Sequence, residues 1–262
     1  MNLQDSNILL LGANGGIGSA LATQLSAKGA RLLLAGLGQQ QLDELAQTLS
    51  NPARGIHVDI TRAEERSKLL DLALDYLGNI DVLINAAGVL DFLPFADLSP
   101  ERIELTFRVN TLSPILLIQA ALPAMQAAGK GRIVNIGSIF GSIAFPYFSI
   151  YSASKFALRG FSEALRRELD GSGVGVSYVA PRATRTPLND ARVMAMGEAT
   201  RMNMDTPERV AAQIVRVIER DRDEAYLGQP ESLFVRINHL MPRLVDRALR
   251  GQRRIMEAFA RP

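Results

Sequence analysis

Tyr151 and Lys155 stand four residues apart in Tyr151-Ser152-Ala153-Ser154-Lys155, at the start of an amphipathic stretch. At that spacing on a helix the two side chains lie on one face. An ammonium beside a phenol favours the phenolate and lowers a tyrosine pKa from its ordinary value of about 10. Such a phenol can donate or accept a proton near neutral pH. Taken alone, the same pair also reads as a solvated helix face.

A second constellation lies near the N-terminus. The apolar run Ile8–Leu11 is followed by Gly12-Ala13-Asn14-Gly15-Gly16-Ile17-Gly18, which leads straight into a helical pattern. Glycines let backbone N–H groups approach a pyrophosphate closely, and a helix N-terminus adds partial positive charge. A glycine cluster by itself is also a plain tight turn. Its position after the first strand of an alternating β/α chain points instead to a nucleotide. Ile17 and Leu21, four apart, can dock the helix on the sheet. The choice of lysine at 155 then gains meaning, because 25 of the 29 cationic side chains are arginine. A compact ammonium reaches both a phenol and a ribose better than a planar guanidinium does.

Composition excludes several other chemistries. The absence of cysteine rules out disulfides, thiolate catalysis, thiolate-held metals and iron–sulfur clusters, and is compatible with a reducing cytoplasm. With only His57 and His239, no metal site is expected, and a Ser-His-Asp triad would have to use one of those two. The formal charge of +2 gives no bulk field for nucleic acid. The first residues lack a basic segment ahead of an apolar one, and nowhere do 18 apolar residues run together. No bilayer-spanning helix is therefore expected, and the chain reads as soluble and cytoplasmic.

The elements that must position these residues are legible as short apolar runs alternating with helix-length stretches. The runs are Ile8–Leu11, Leu32–Ala35, Gly55–Val58, Asp81–Ile84, Arg132–Ile136 and Val174–Val179; helical patterns lie near 17–28, 39–49, 62–77, 101–128 and 151–170. Runs this short and continuous read as parallel strands covered on both faces. The expectation is an α/β fold: one doubly wound, Rossmann-type parallel sheet with helices on both faces, one domain over residues 1–262, and a C-terminal helical extension. Pro114 and Pro123 should bend or interrupt the 101–128 helix. Thr206-Pro207-Glu208 should open another helix.

Together these motifs resemble the short-chain dehydrogenase/reductase family, over residues 8 to about 188. The glycine spacing is Gly12-x3-Gly16-x-Gly18, with Leu11 where the family usually has threonine. By resemblance, the turn Gly12, Asn14, Gly15, Gly16, Ile17 and Gly18 binds a nicotinamide dinucleotide, Asp59 meets the adenine, and Asn85-Ala86-Ala87-Gly88 steadies the sheet and lines the cofactor. Pro181-Arg182-Ala183-Thr184-Arg185-Thr186 looks like the family's P-G-x-x-x-T, whose threonine contacts the carboxamide; Arg182 replaces the usual glycine and stiffens that point. The resemblance assigns Ser138 to the substrate oxygen and Tyr151 to the proton. It gives Lys155 to the tyrosine and the nicotinamide ribose, and Asn110 to a water in the proton relay. It thereby implies an NAD(P)-dependent oxidoreductase acting between an alcohol and a carbonyl compound. A non-catalytic nucleotide sensor on the same fold is the main rival, although such proteins usually lose the tyrosine or the lysine.

Selection between NAD and NADP normally lies after the second strand. Here Ala35-Gly36-Leu37-Gly38 offers neither acid nor cation; NADP-preferring relatives often have arginine at the place of Leu37 and a cation at that of Gly15. The lack of an acid at Gly36 removes the main repulsion against a 2′-phosphate, which tilts NAD(P) slightly toward NADP. Phe140, Phe145, Tyr147, Phe148 and Phe92-Leu93 suggest an apolar small-molecule substrate, with Phe140 and Phe145 beside Ser138 and Tyr151; equally, these aromatics could pack the core or a subunit contact. The segment 187–205, with Met194, Met196, Met202 and Met204, is expected to be a mobile cover over the substrate. In the tail from 229 to 262, Leu233, Phe234, Ile237, Leu240, Met241, Leu244, Val245 and Ala248 recur at helical spacing. Arg236, Arg243, Arg247 and Arg250 lie off that stripe, and Pro242 divides it. Such a stripe packs on its own fold or a partner, or lies on an anionic membrane surface. The resemblance also implies a homodimer or homotetramer through 101–128 and 151–170.

Overall fold

The computed structural model describes residues 1–261; Pro262, the last residue of the expected domain and of its basic tail, lies outside the described residues. The six apolar runs form β1 (Asn7–Leu11), β2 (Arg31–Gly36), β3 (Ala53–His57), β4 (Val82–Asn85), β5 (Gly131–Ile136) and β6 (Val174–Ala180). A short β7 (Glu224–Tyr226) joins the edge beside β6. All pair in parallel, in the order β3-β2-β1-β4-β5-β6-β7. The sequence pattern does not predict β7, because three residues that include a glutamate make no apolar run.

The helices are α1 (Gly16–Ala27), α2 (Gln39–Thr48), α3 (Ala63–Leu77), α4 (Pro100–Phe107), α5 (Ser113–Ala127), α6 (Ser149–Glu168), α7 (Ala191–Ala199), α8 (Pro207–Glu219), α9 (Glu231–Leu240) and α10 (Pro242–Ala260). Successive strand residues point to opposite faces. Ile8, Leu10, Leu32 and Leu34 pack with Leu21 and Leu25 of α1, Leu42 of α2 and Ile214 of α8. Leu9, Leu11 and Leu33 pack on the other face with Leu69 of α3, Leu117 and Ile118 of α5 and Leu165 of α6. Full burial of each such side chain is worth roughly 1.5–3 kcal/mol, so two-sided coverage is the main source of cohesion. The strand order reverses between β1 and β4. In a doubly wound sheet that reversal opens a crevice at the carboxyl ends of the strands.

The long helix expected over 101–128 is split into α4 and α5 by a π-helical turn, Arg108–Leu112. Its cause is Pro114, which has no N–H and whose ring would strike the carbonyl four residues back, that of Asn110. The Ser113 N–H reaches five residues back, to the Arg108 carbonyl, and the widened turn relieves the clash. Pro123 stays inside α5 without ending it. The run Pro100–Ala127 is nonetheless long and apolar enough to cross a membrane by length and composition alone. Counting uninterrupted apolar residues overlooks it because Thr111, Ser113 and Gln119 break the run. In this fold Leu117, Ile118, Ala121 and Met125 are buried against the sheet.

The segment 187–205 holds α7, whose first turn is capped by Asp190 accepting the Val193 N–H at 2.8 Å. Val193 and Met196 of α7 pack against Met256 and Ala260 of α10. Pro242 opens α10 and divides the tail where expected.

Candidate active site

β1 ends at Leu11, buried in the core, and the chain turns through Gly12 at φ +77°. A Cβ on Gly12 would stand 2.5 Å from the Ala87 nitrogen, and one on Gly18 2.0 Å from the Gly12 carbonyl oxygen. Only glycine closes the turn at these two positions. Gly15 is the N-cap of α1, and no side chain caps the first turn. The leading N–H groups of Gly16, Ile17 and Gly18 and the positive helix end therefore suit an anion. On this geometry the turn fits a dinucleotide pyrophosphate.

The neighbouring predicted residues divide into those that face the crevice and those that brace it. Asn14 spends its amide on the Leu37 carbonyl, tying the turn to the loop after β2. The Gly38 N–H donates to Nδ1 of His57 at 3.0 Å, which anchors the same loop to β3. Asp59 is desolvated, which opposes ionisation. Thr61 outweighs this by donating its N–H at 2.9 Å and its hydroxyl at 2.7 Å, and Arg62 adds positive charge, so the carboxyl sits below its ordinary pKa. Asn85 is a brace: it donates to Asn135 at 2.8 Å, which donates to Ser162 of α6 at 2.9 Å. Ala86, Ala87 and Gly88 continue from it along the crevice, with the Ala86 N–H on the Leu11 carbonyl at 2.9 Å.

Ser138 follows β5 and marks the other wall. The Tyr178 hydroxyl, which the sequence reading did not single out, donates to the Ser138 carbonyl at 3.3 Å and accepts its N–H at 3.4 Å. It thus fixes the backbone that carries the Ser138 side chain. α6 begins at Ser149, so Tyr151 lies in its first turn and Lys155 one turn on, both buried. The Lys155 Nζ is 5.8 Å from the centre of the Tyr151 ring and donates to the Ile136 carbonyl at 3.0 Å. Asn110, fully buried in the π turn, accepts the Val89 N–H at 2.8 Å. Its amide donates to the Val89 carbonyl at 2.9 Å and to the Ser154 hydroxyl at 3.0 Å.

The electrostatics correct one expectation. Burial pushes the Tyr151 phenol up to about 12, a hydrogen bond with Ser138 opposing it only in part. Burial also pulls the Lys155 ammonium down to about 8. Desolvation is the largest influence on both groups. At neutral pH the phenol is therefore protonated, poised as an acid.

Ser138 and Tyr151 open onto a cavity of about 440 Å³, which is also lined by Ile17, Phe140, Phe145, Pro181, Thr184 and Thr186. The aromatics divide between core and cavity. Phe92 is core and stacks on the equally buried Phe148 at 4.7 Å, while Phe148 also reaches the cavity, which Phe140 and Phe145, stacked at 4.4 Å, line with it. Phe234, Ile237, Leu244, Val245 and Ala248 of the tail form the far wall. The sequence showed their stripe without showing what it covers.

Residues 6–196 match the family model described as short chain dehydrogenase. The chain is 34% identical over 259 residues to the ketoacyl reductase HetN of Nostoc sp., covering 95% of this chain and 89% of that protein. It is 30% identical over 269 residues to dehydrogenase/reductase SDR family member 7B of Danio rerio, covering 97% and 87%. A short chain dehydrogenase/reductase from Burkholderia phymatum, solved in complex with NAD, superposes with a TM-score of 0.86 at 24% identity, over 93% of this chain and 96% of that one.

Proposed function

The chain belongs to the short-chain dehydrogenase family, and from that premise we propose that it is an NAD(P)-dependent oxidoreductase of apolar alcohols, ketones or aldehydes, with Tyr151 exchanging the proton on the substrate oxygen. The observation that carries this reading is the buried Tyr151 phenol beside Ser138 on the wall of an apolar cavity, with Lys155 one helical turn behind it.

When bound, a nicotinamide dinucleotide supplies or accepts hydride at the substrate carbon. Gly12, Gly15, Gly16, Ile17 and Gly18 would hold its phosphates and Asp59 its adenine. Asn14 and Asn85–Gly88 would shape that side, and Pro181, Thr184 and Thr186 the carboxamide side. Ser138 and Tyr151 donate to the carbonyl oxygen of a ketone or aldehyde and stabilise the charge that develops there. Tyr151 then gives up its proton to that oxygen. In the reverse direction it must first lose the proton, which the Lys155 ammonium makes less costly. The amide of Asn110 is engaged with Val89 and Ser154, and Pro114 can supply no N–H to the Asn110 carbonyl; that carbonyl is the group we assign to a relay water. The Phe140–Phe145 wall excludes water around the reacting carbon.

A spectrophotometric screen of apolar ketones, aldehydes and alcohols with both cofactors tests the reading. Turnover is expected with at least one apolar carbonyl compound, with NADP(H) somewhat preferred because residues 36–38 place no carboxylate at the ribose. Cofactor binding without turnover on any of them would favour the sensor instead. We place the protein in the cytoplasm as a homodimer or homotetramer. Its contact would involve the exposed Phe107 and Leu112 around the π turn and Phe156 on α6.

The tail supports a second reading, peripheral contact with an anionic membrane. Leu240 is 80% exposed at the junction of α9 and α10, with Met241 and Leu244 exposed beside it and Arg243 and Arg247 on the same turns. Co-sedimentation with vesicles containing phosphatidylserine is expected for the full chain and is expected to fall several-fold in Leu240→Asp/Leu244→Asp. Equal sedimentation of the two proteins would reject membrane contact.

A further inference from the structure

The geometry assigns to Arg182 the role of a positioning residue that fixes the outer wall of the cavity, holding both the 187–205 segment and the C-terminal helices against the loop after β6. Arg182 stands where the family motif usually has glycine, and its guanidinium is engaged from three sides. Nε and Nη2 donate to the two carboxylate oxygens of Asp205 at 2.8 and 2.9 Å. Nη1 donates to the Gln229 carbonyl at 2.8 Å and to the Glu231 carboxylate at 2.9 Å.

Arg182 and these partners belong to three different segments. Asp205 closes the 187–205 segment and is almost wholly buried; its N–H donates to the Ala183 carbonyl, and its own carbonyl accepts the Arg185 N–H, both at 2.9 Å. Glu231 opens α9, and its second oxygen accepts from Asn203 at 2.9 Å. Arg182 itself lies in the loop that carries Thr184 and Thr186. All three segments line the cavity: Thr186 from the loop, Met196 and Met202 from the cover, Phe234 and Leu244 from the tail. A bidentate, charge-assisted pair is both strong and directional. Without the guanidinium, Asp205 would keep only the more distant and exposed Arg209, at 3.6 Å. A buried carboxylate left so poorly paired drives its segment to rearrange toward water. Lysine, a point charge on a flexible stem, can meet one carboxylate but cannot hold both oxygens of Asp205 and also reach Glu231.

The substrate half of the test rests on the reductase reading; the mobility half does not. Hydrogen exchange of the full-length protein is compared between wild type, Arg182→Gly and Arg182→Lys. In Arg182→Gly, amides in 191–205 and 231–260 are expected to exchange about tenfold faster while β1–β6 keep their rates, with Arg182→Lys between the two. In the same variant KM for an apolar ketone should rise about tenfold with kcat changed less than about twofold, because the chemical groups stay in place. Unchanged exchange in the two segments, or a uniform rise across the whole chain, would overturn the assignment. Local loosening together with a wild type inactive on every ketone would leave the clamp standing and count against the reductase reading alone.

Discussion

Tyr151→Phe is expected to lower kcat for carbonyl reduction by about a thousandfold, within the range that a positioned proton donor supplies. Reduced-cofactor affinity should stay within about twofold. The phenyl ring keeps the packing with Phe140, whose ring centre is 6.1 Å away, and removes only the hydroxyl shared with Ser138. The protonation state fixes the sign of the pH dependence. Reduction needs the protonated phenol, so its kcat/KM should fall as pH rises through the tyrosine's pKa; oxidation needs the phenolate and should rise over the same interval. Because burial holds the phenol high, reduction should be essentially flat across neutral pH. Steady-state rates in both directions check this, and a Phe variant as fast as wild type would remove Tyr151 from the mechanism.

The second large effect belongs to the cradle. Gly18→Ala should weaken dinucleotide binding about 100-fold, because relieving the overlap costs up to about 3 kcal/mol. The added methyl would meet the Gly12 carbonyl oxygen at 2.0 Å, its carbon at 2.8 Å and the Ala13 Cα at 2.9 Å. All three are backbone, so no flexible side chain can yield; either the turn opens or the start of α1 shifts. Gly160→Ala is the control. It lies within α6 with nothing inside 4 Å of its added carbon, and alanine there should leave binding unchanged and slightly favour the helix. Titration calorimetry of both variants distinguishes a cradle effect from a general one. Wild-type affinity in Gly18→Ala would mean that the turn does not carry the phosphates.

Much of this architecture is written locally. Leu32–Ala35 and Val82–Ile84 are apolar on consecutive residues because both sheet faces are covered, and Pro114 interrupts its helix because the missing N–H lies in the chain itself. Tyr151 and Lys155 are legible for the same reason: one helical turn joins them. What the sequence does not carry is long-range. The phenol is less acidic than the ammonium's proximity suggests because desolvation depends on Phe140 and on everything packed above α6. Tyr178 reaches Ser138 only because β6 runs beside β5. The tail stripe becomes a cavity wall by facing Ser138 and Tyr151, and Arg182 becomes a junction through contacts spanning 23 to 49 residues of sequence.

The most direct test follows the transferred atoms. Reduced nicotinamide carrying deuterium at its transferable position is incubated with wild-type protein and an apolar ketone in ordinary water. One deuterium should be found on the product's carbinol carbon, on a single stereochemical face, with a solvent proton on its oxygen. Oxidised cofactor without labelled alcohol, or label scattered over both faces, would contradict a site in which Ser138 and Tyr151 hold the carbonyl for one defined transfer.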